Sequence, residues 1–175
     1  MIVKSQETEN RALLQIADLM CAAARTAPKA RGVDNLETCL ITGEEKKQLS
    51  DEMRRIAVQE NIPFFERDAN CIDKAPVVVL LGQKIKPLGV PSCGFCGFEN
   101  CAGCVSHQGQ CAVSTGDLGI AIGSAVGTAA LHHADNRVMF SVGRASLNLG
   151  IFPAEVKVAY GIPLSISGKS PFADR

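Results

Sequence analysis

The sequence predicts an α+β fold class, a sheet covered by helices, and three observations carry that prediction. Apolar residues recur at helical spacing over 11–25 and again over 44–60. An unbroken apolar run spans Val77 to Leu81, and shorter strand-like segments follow a glycine-rich helical stretch in the C-terminal third. With 175 residues and 46% hydrophobic content the chain can bury one substantial core, so a single domain over 1–175 is expected.

The elements follow in order. Between Arg11 and Arg25, Leu13, Ile16, Ala17, Met20 and Ala24 form one apolar stripe, which predicts a helix. Pro28 and Gly32 then stop it and open a loop. Leu36 to Thr42 reads as a strand, and Glu44 to Glu60 returns to helical period through Leu49, Met53, Ile56 and Ala57. The run 75–81 reads as a central strand covered on both faces.

Thr115 is placed to cap a helix from about Asp117 to His133, with Asp117 near the positive end of its dipole and His132-His133 near the negative end. Gly119, Gly123 and Gly127 share one face of that helix, each costing about 1 kcal/mol relative to alanine. That cost suggests close approach of a neighbouring helix or, less plainly, of a planar ligand. Arg137 to Val142 and Glu155 to Tyr160 read as further strands, flanking GRASLNLGIFP with a possible helical turn. The tail GIPLSISGKSPFADR is rich in turn residues.

Charge excludes some partners. The 18 basic and 18 acidic side chains cancel, so no global field draws nucleic acid or an anionic membrane. The N-terminal stretch is polar, and the apolar run 118–131 is short of the roughly 20 residues that span a bilayer. A soluble, cytoplasmic protein is expected. No G-x-G-x-x-G follows a strand and no nucleotide P-loop motif is present.

Chemistry concentrates in the cysteines. Five of the eight, Cys93, Cys96, Cys101, Cys104 and Cys111, lie in PSCGFCGFENCAGCVSHQGQC, whereas Cys21, Cys39 and Cys71 are scattered through core-like segments. Two-residue gaps let paired thiolates turn to one point, and Gly94, Gly97 and Gly103 let backbone amides approach whatever is bound. An iron-sulfur cluster takes four thiolates around a compact inorganic core, which one wrapping loop can supply. Zinc is the rival, but its cysteine pairs usually stand about 15–20 residues apart. Cys104 and Cys111 compete for the fourth position. Phe95 and Phe98 are candidate shields for a cluster, and His107 a less favoured ligand.

CGFCGFENC resembles the CGxCGxxxC signature of a small four-iron, four-sulfur (4Fe-4S) domain, which implies ligation by Cys93, Cys96 and Cys101. Four other segments resemble the FMN-dependent nitroreductase fold: AAARTAPKARGVDNLETCLITGEE, KAPVVVLLG, DLGIAIGSAVGTAALHHAD and VKVAYGIPLS. APK stands where that family has APS, and its N-terminal arginine-serine motif is missing. Taken together the chain is similar to a family of ferredoxin-domain proteins that combine both parts. The resemblance implies a nitroreductase-like three-layer sandwich, a mixed sheet with helices plus a cysteine-rich cluster-binding loop at 91–112, assembled as a homodimer. It leaves FMN possible, with Lys29, Arg31 and Asn35 as candidate contacts on a loop whose plainer role is a solvated turn.

The function expected is an iron-sulfur redox protein, in which a cluster passes electrons to or from a flavin or a partner protein. Two rivals stand beside it. One is an FMN-dependent oxidoreductase of a small aromatic or quinone-like acceptor. The other is a zinc-stabilised, non-catalytic interaction module.

Overall fold

The computed structural model describes residues 1–172. Helix α1 (Ser5–Thr26) buries the predicted stripe and starts earlier than the apolar period does. A short 3-10 turn (Ala30–Gly32) leads to strand β1 (Leu36–Ile41). Helix α2 (Gly43–Gln59) follows, then α3 (Pro63–Lys74), an element outside the expectations above. Pro63 is its start signal: proline at the first helical position gives up an N–H that needs no partner there.

Strand β2 (Val77–Lys84) is the apolar run extended by three residues. The cysteine segment contains a short helix, α4 (Cys101–Ser106), and ends at α5 (Ala112–Leu131). The two-residue strand β3 (Asp135–Asn136), helix α6 (Phe140–Asn148) and strand β4 (Val156–Ser165) complete the order.

The sheet runs β1-β2-β4-β3, with all three pairings antiparallel. The mixed sheet expected above is therefore corrected to an antiparallel one. β2 is central, as expected, and Val77 to Leu81 are fully buried. Alternation sends Val78 and Leu80 to one face, under α2, α3 and α6, and Val77, Val79 and Leu81 to the other, under α1 and α5. Each such side chain contributes roughly 1.5–3 kcal/mol of transfer free energy, which is why this strand anchors both halves of the three-layer sandwich.

Three further expectations are corrected. Arg137 to Val142 is not a strand: β3 ends at Asn136, only a single bridge from Met139 to Gly161 follows, and α6 begins at Phe140. Its N-terminal turn is held by Ser141, whose buried hydroxyl donates to Asp68 Oδ2 of α3 at 2.6 Å. Gly143 lies so close to β4 that a Cβ there would sit 1.8 Å from the Ala159 carbonyl oxygen. Second, Gly161–Ser165 extends β4 instead of turning; the last three residues of the tail lie outside the described residues. Pro163 is tolerated there because, like the Gly161 nitrogen, which bonds Met139, its nitrogen points away from β2, between the Met139 bridge and the β3 pairing.

The third correction concerns α5. It starts at Ala112 with Cys111 as N-cap, and Thr115 lies inside it, donating its hydroxyl to the Cys111 carbonyl. The glycine face of α5 is open: a Cβ on Gly119, Gly123 or Gly127 would meet nothing within 4 Å, so α1 packs on a different side. Among the described residues no helix is long and apolar enough to cross a membrane.

Candidate metal centre

Beyond Lys84 the chain leaves the sheet and is steered by left-handed residues: Ser92 (φ 53°), Gly94 (φ 60°) and Gly97 (φ 83°). Glycine adopts this conformation without a Cβ penalty, and the Gly97 N–H closes a turn on the Gly94 carbonyl at 2.9 Å. Asn100 then caps α4, its side-chain oxygen accepting the Gly103 N–H at 3.0 Å. The helix carries Cys101 and Cys104 one turn apart, on the same side.

The reversal after α4 needs Gly109, whose N–H bonds the Cys104 carbonyl at 2.8 Å. A Cβ there would stand 2.5 Å from the Phe98 ring and 3.1 Å from Cys104 Sγ. Cys111 follows at the start of α5.

All five clustered cysteines line one cavity of about 340 Å³. Cys104 and Cys111 are buried, and Cys93, Cys96 and Cys101 are half-buried. Desolvation pushes the Cys104 thiol up; hydrogen bonding with Cys96 and the nearness of Cys111 and Cys101 add to it. Cys104 is therefore within electrostatic reach of three of the other four thiols. Among the described residues no three His, Cys, Asp or Glu side chains gather closely enough to hold a single metal ion.

The neighbouring aromatics divide. Phe98 is half-buried, stacks on His107 (centroids 5.3 Å apart) and covers the Gly109–Cys104 side, whereas Phe95 is 80% exposed and shields nothing. His107 lies outside the cavity lining, its Nδ1 near Ser106 Oγ and the Gly103 carbonyl. The shield role given to Phe95 is thus corrected.

The structure does not bring Lys29, Arg31 and Asn35 to this cavity's lining. Lys29 lies just past the end of α1 with its side chain buried, its ammonium donating to the carbonyls of Arg25 (2.6 Å), Ala27 (2.9 Å) and Ala24 (3.4 Å), a helix-terminus role. Arg31 Nη1 donates to the carbonyls of Leu88 (2.8 Å) and Gly89 (3.1 Å). Asn35 is buried, and its Nδ2 has no hydrogen-bond partner. Asp117, read above as a dipole partner, is buried and accepts the Ala30 N–H on both oxygens, at 3.1 and 3.2 Å. No local sequence signal announces bonds across such separations.

A family model described as "Uncharacterized protein containing a ferredoxin domain (DUF2148)" matches residues 107–175. An uncharacterized protein of Archaeoglobus fulgidus is 36% identical over 184 residues, covering 100% of this chain and 98% of that protein. The chain belongs to this ferredoxin-domain family.

The fold of this ferredoxin-domain protein is similar to that of solved nitroreductases. A nitroreductase with bound FMN from Desulfitobacterium hafniense has a TM-score of 0.59 at 14% identity, covering 97% of this chain and 81% of that one. The FMN-dependent nitroreductase NfnB from Mycobacterium smegmatis, in complex with NADPH, has a TM-score of 0.60 at 11% identity, covering 89% and 78%. At such identities the likeness shows the fold alone. The expected nitroreductase-like sandwich and the ferredoxin-domain family are both borne out, and together they suggest a redox function.

Proposed function

We propose that this chain is an iron-sulfur redox protein that binds a four-iron, four-sulfur cluster and passes electrons to or from a flavin or a partner protein. The observation that carries the reading is the convergence of five thiols on one cavity. That donor set fits a polynuclear group, since cluster ligation is by thiolate and demands four sulfurs spread around a core. Cys93, Cys96 and Cys101 hold three positions, and Cys104 or Cys111, both buried in the lining, holds the fourth.

When bound, such a cluster supplies one-electron transfer at a potential set by its surroundings. The chain contributes the rest. Gly94 brings the backbone to the cavity wall, burial at Cys104 and Cys111 limits water, and Phe98 packs at Gly109, close to Cys104. Half-buried Cys93, Cys96 and Cys101 leave the opposite side near solvent, where a redox partner can approach. The reading places the protein in the cytoplasm as a homodimer.

Oxygen-free protein is expected to contain iron and sulfide in equal amounts, to show cluster absorbance, and to give an electron paramagnetic resonance signal on reduction. Zinc without iron or sulfide would replace this reading with the zinc-stabilised module. Cys104→Ser and Cys111→Ser separate the two candidates for the fourth ligand: the ligand's variant loses the cluster or its spectrum, and the other does not.

A second reading, FMN-dependent reduction of a small aromatic or quinone-like acceptor, is favoured by one observation, the fold shared with proteins described as binding FMN. Lys29, Arg31 and Asn35 would be its contacts, with the unpartnered Asn35 amide as a free donor. Stoichiometric release of FMN on denaturation supports it, and failure of added FMN to bind removes it.

A further inference from the structure

We infer that Arg31, carried on a turn that Asp117 pins at Ala30, is a positioning residue that ties the two ends of the cysteine cavity to each other before any metal group enters. The inference rests on the cluster-binding reading. It concerns what prepares the cavity, not what ligates in it.

The two ends are anchored differently. Cys111 begins α5 and so shares that helix's rigidity, whereas Cys93 follows an irregular stretch that has left β2 at Lys84. Arg31 bridges them. Its Nη1 donates to the carbonyls of Leu88 and Gly89, on the stretch that delivers Cys93, and Gly89 itself lines the cavity. Residue 89 has left-handed geometry (φ 67°), and a Cβ on it would come within 2.9 Å of Arg31 Nη1, so glycine is what admits the guanidinium.

Arg31 in turn is held in a conformation that a side-chain-bearing residue rarely adopts (φ 58°, ψ 14°). Such geometry persists only where the surroundings over-determine it. Here the turn is closed by Gly32 N–H to the Lys29 carbonyl (3.0 Å) and Val33 N–H to the Ala30 carbonyl (3.2 Å). It is pinned by the buried Asp117 carboxylate, which takes the Ala30 N–H on both oxygens. Asp117 belongs to α5, the helix that Cys111 opens. The path is therefore continuous: Cys111, α5, Asp117, Ala30, Arg31, Leu88 and Gly89, Cys93.

A charge-assisted bond to a carbonyl is stronger than a neutral one, and Nη1 carries two of them. Without it, Leu88 and Gly89 lose this link to the α5 side, leaving the bonds of Ser114 to Lys84 and Gln83 at the far end of the stretch, and the Cys93 arm is loosened from the Cys111 arm. Groups that orient metal ligands from behind commonly change metal retention about 10–100-fold when removed.

The test compares wild type, Arg31→Met, Arg31→Lys and, as a distant exposed cation, Arg144→Met, each loaded with iron and sulfide without oxygen. Cluster absorbance is followed during challenge with an iron chelator, and each apo protein is alkylated under native conditions with peptide-level readout. Arg31→Met is expected to lose its cluster about tenfold faster, with partial return in Arg31→Lys and no change in Arg144→Met. In the apo protein, Cys104 and Cys111 should be alkylated several-fold faster in Arg31→Met, at unchanged helix content. Arg31→Gln, a polar change that removes the charge and shortens the reach, should act in the same direction and serves if Arg31→Met does not fold.

Cluster loss at the wild-type rate in Arg31→Met overturns the inference while leaving the cluster reading intact. If wild type takes up no iron or sulfide, the cluster reading falls; the alkylation rates then decide the tether alone, and equal rates sink it.

Discussion

Gly109 shows how narrowly one position constrains the candidate site. Its missing Cβ is the space that Phe98 fills, with Cys104 Sγ at the far wall. Gly109→Ala is expected to cost about 1–3 kcal/mol by overpacking and to displace Cys104, checked by urea unfolding and by cluster absorbance. Cys39 gives a pH test. Burial, with a smaller effect from the Cys21 thiol, raises it from an ordinary value near 9 to about 11. The unfolded chain therefore releases this proton first, so the contribution is whole below about pH 9 and is lost as pH climbs towards 11. Cys39→Ala is expected to flatten the fall in stability between those limits, measured by urea unfolding across the range; an unchanged slope would refute the assignment. The thiol pattern was legible because Cys93, Cys96, Cys101, Cys104 and Cys111 are neighbours in sequence. The work of Lys29 and Arg31 was not. Their partners are backbone carbonyls, which every residue carries, so no residue type marks them.

Among the elements, α1, α2 and β2 were readable because their burial is one-sided or complete and the period shows it. α6 was not. Val138, Phe140 and Val142 alternate like a strand, yet the chain turns helical where Ser141 meets Asp68 and Gly143 meets the β4 backbone, contacts made only in the folded molecule. The glycines of α5 were noticed for their cost, but the close neighbour inferred from them is missing within one chain. That makes Gly123→Ala informative. In an isolated protomer it should gain about 1 kcal/mol, as alanine replaces glycine in a helix interior with nothing in its way. A rise in melting temperature independent of protein concentration is the expected result; a loss would mean that this face is packed in the assembly. Arg54 makes the opposite case. It joins α2 to α3 through Glu66, Asn70 and Asp73, besides bonding Ser50 in its own helix. Because it serves several partners, Arg54→Met is expected to cost about 1 kcal/mol or more, beyond a lone surface pair, by the same measurement.

On the scale of the whole molecule, stability and chemistry occupy different places. One apolar cluster joins α2, α3 and α6 to the sheet, the other joins α1 and α5 to its opposite face, and neither includes a residue between Lys84 and Cys111. The body should therefore fold without metal, and the cysteine loop, already tethered at its two ends, should be the part that what it binds tightens most. A structural zinc module behaves otherwise: its binding free energy is its folding free energy, so a chelator unfolds it. Stripping the metal from this protein is accordingly expected to abolish the cluster absorbance while far-UV circular dichroism and the cooperative melting transition persist. Limited proteolysis of the stripped protein should cut first between Cys93 and Cys111, and cutting should slow again when iron and sulfide are restored. Collapse of the melting transition on chelation would show instead that the metal holds up the sheet and helices, and the division between a self-sufficient sandwich and a metal-ordered loop would then be wrong.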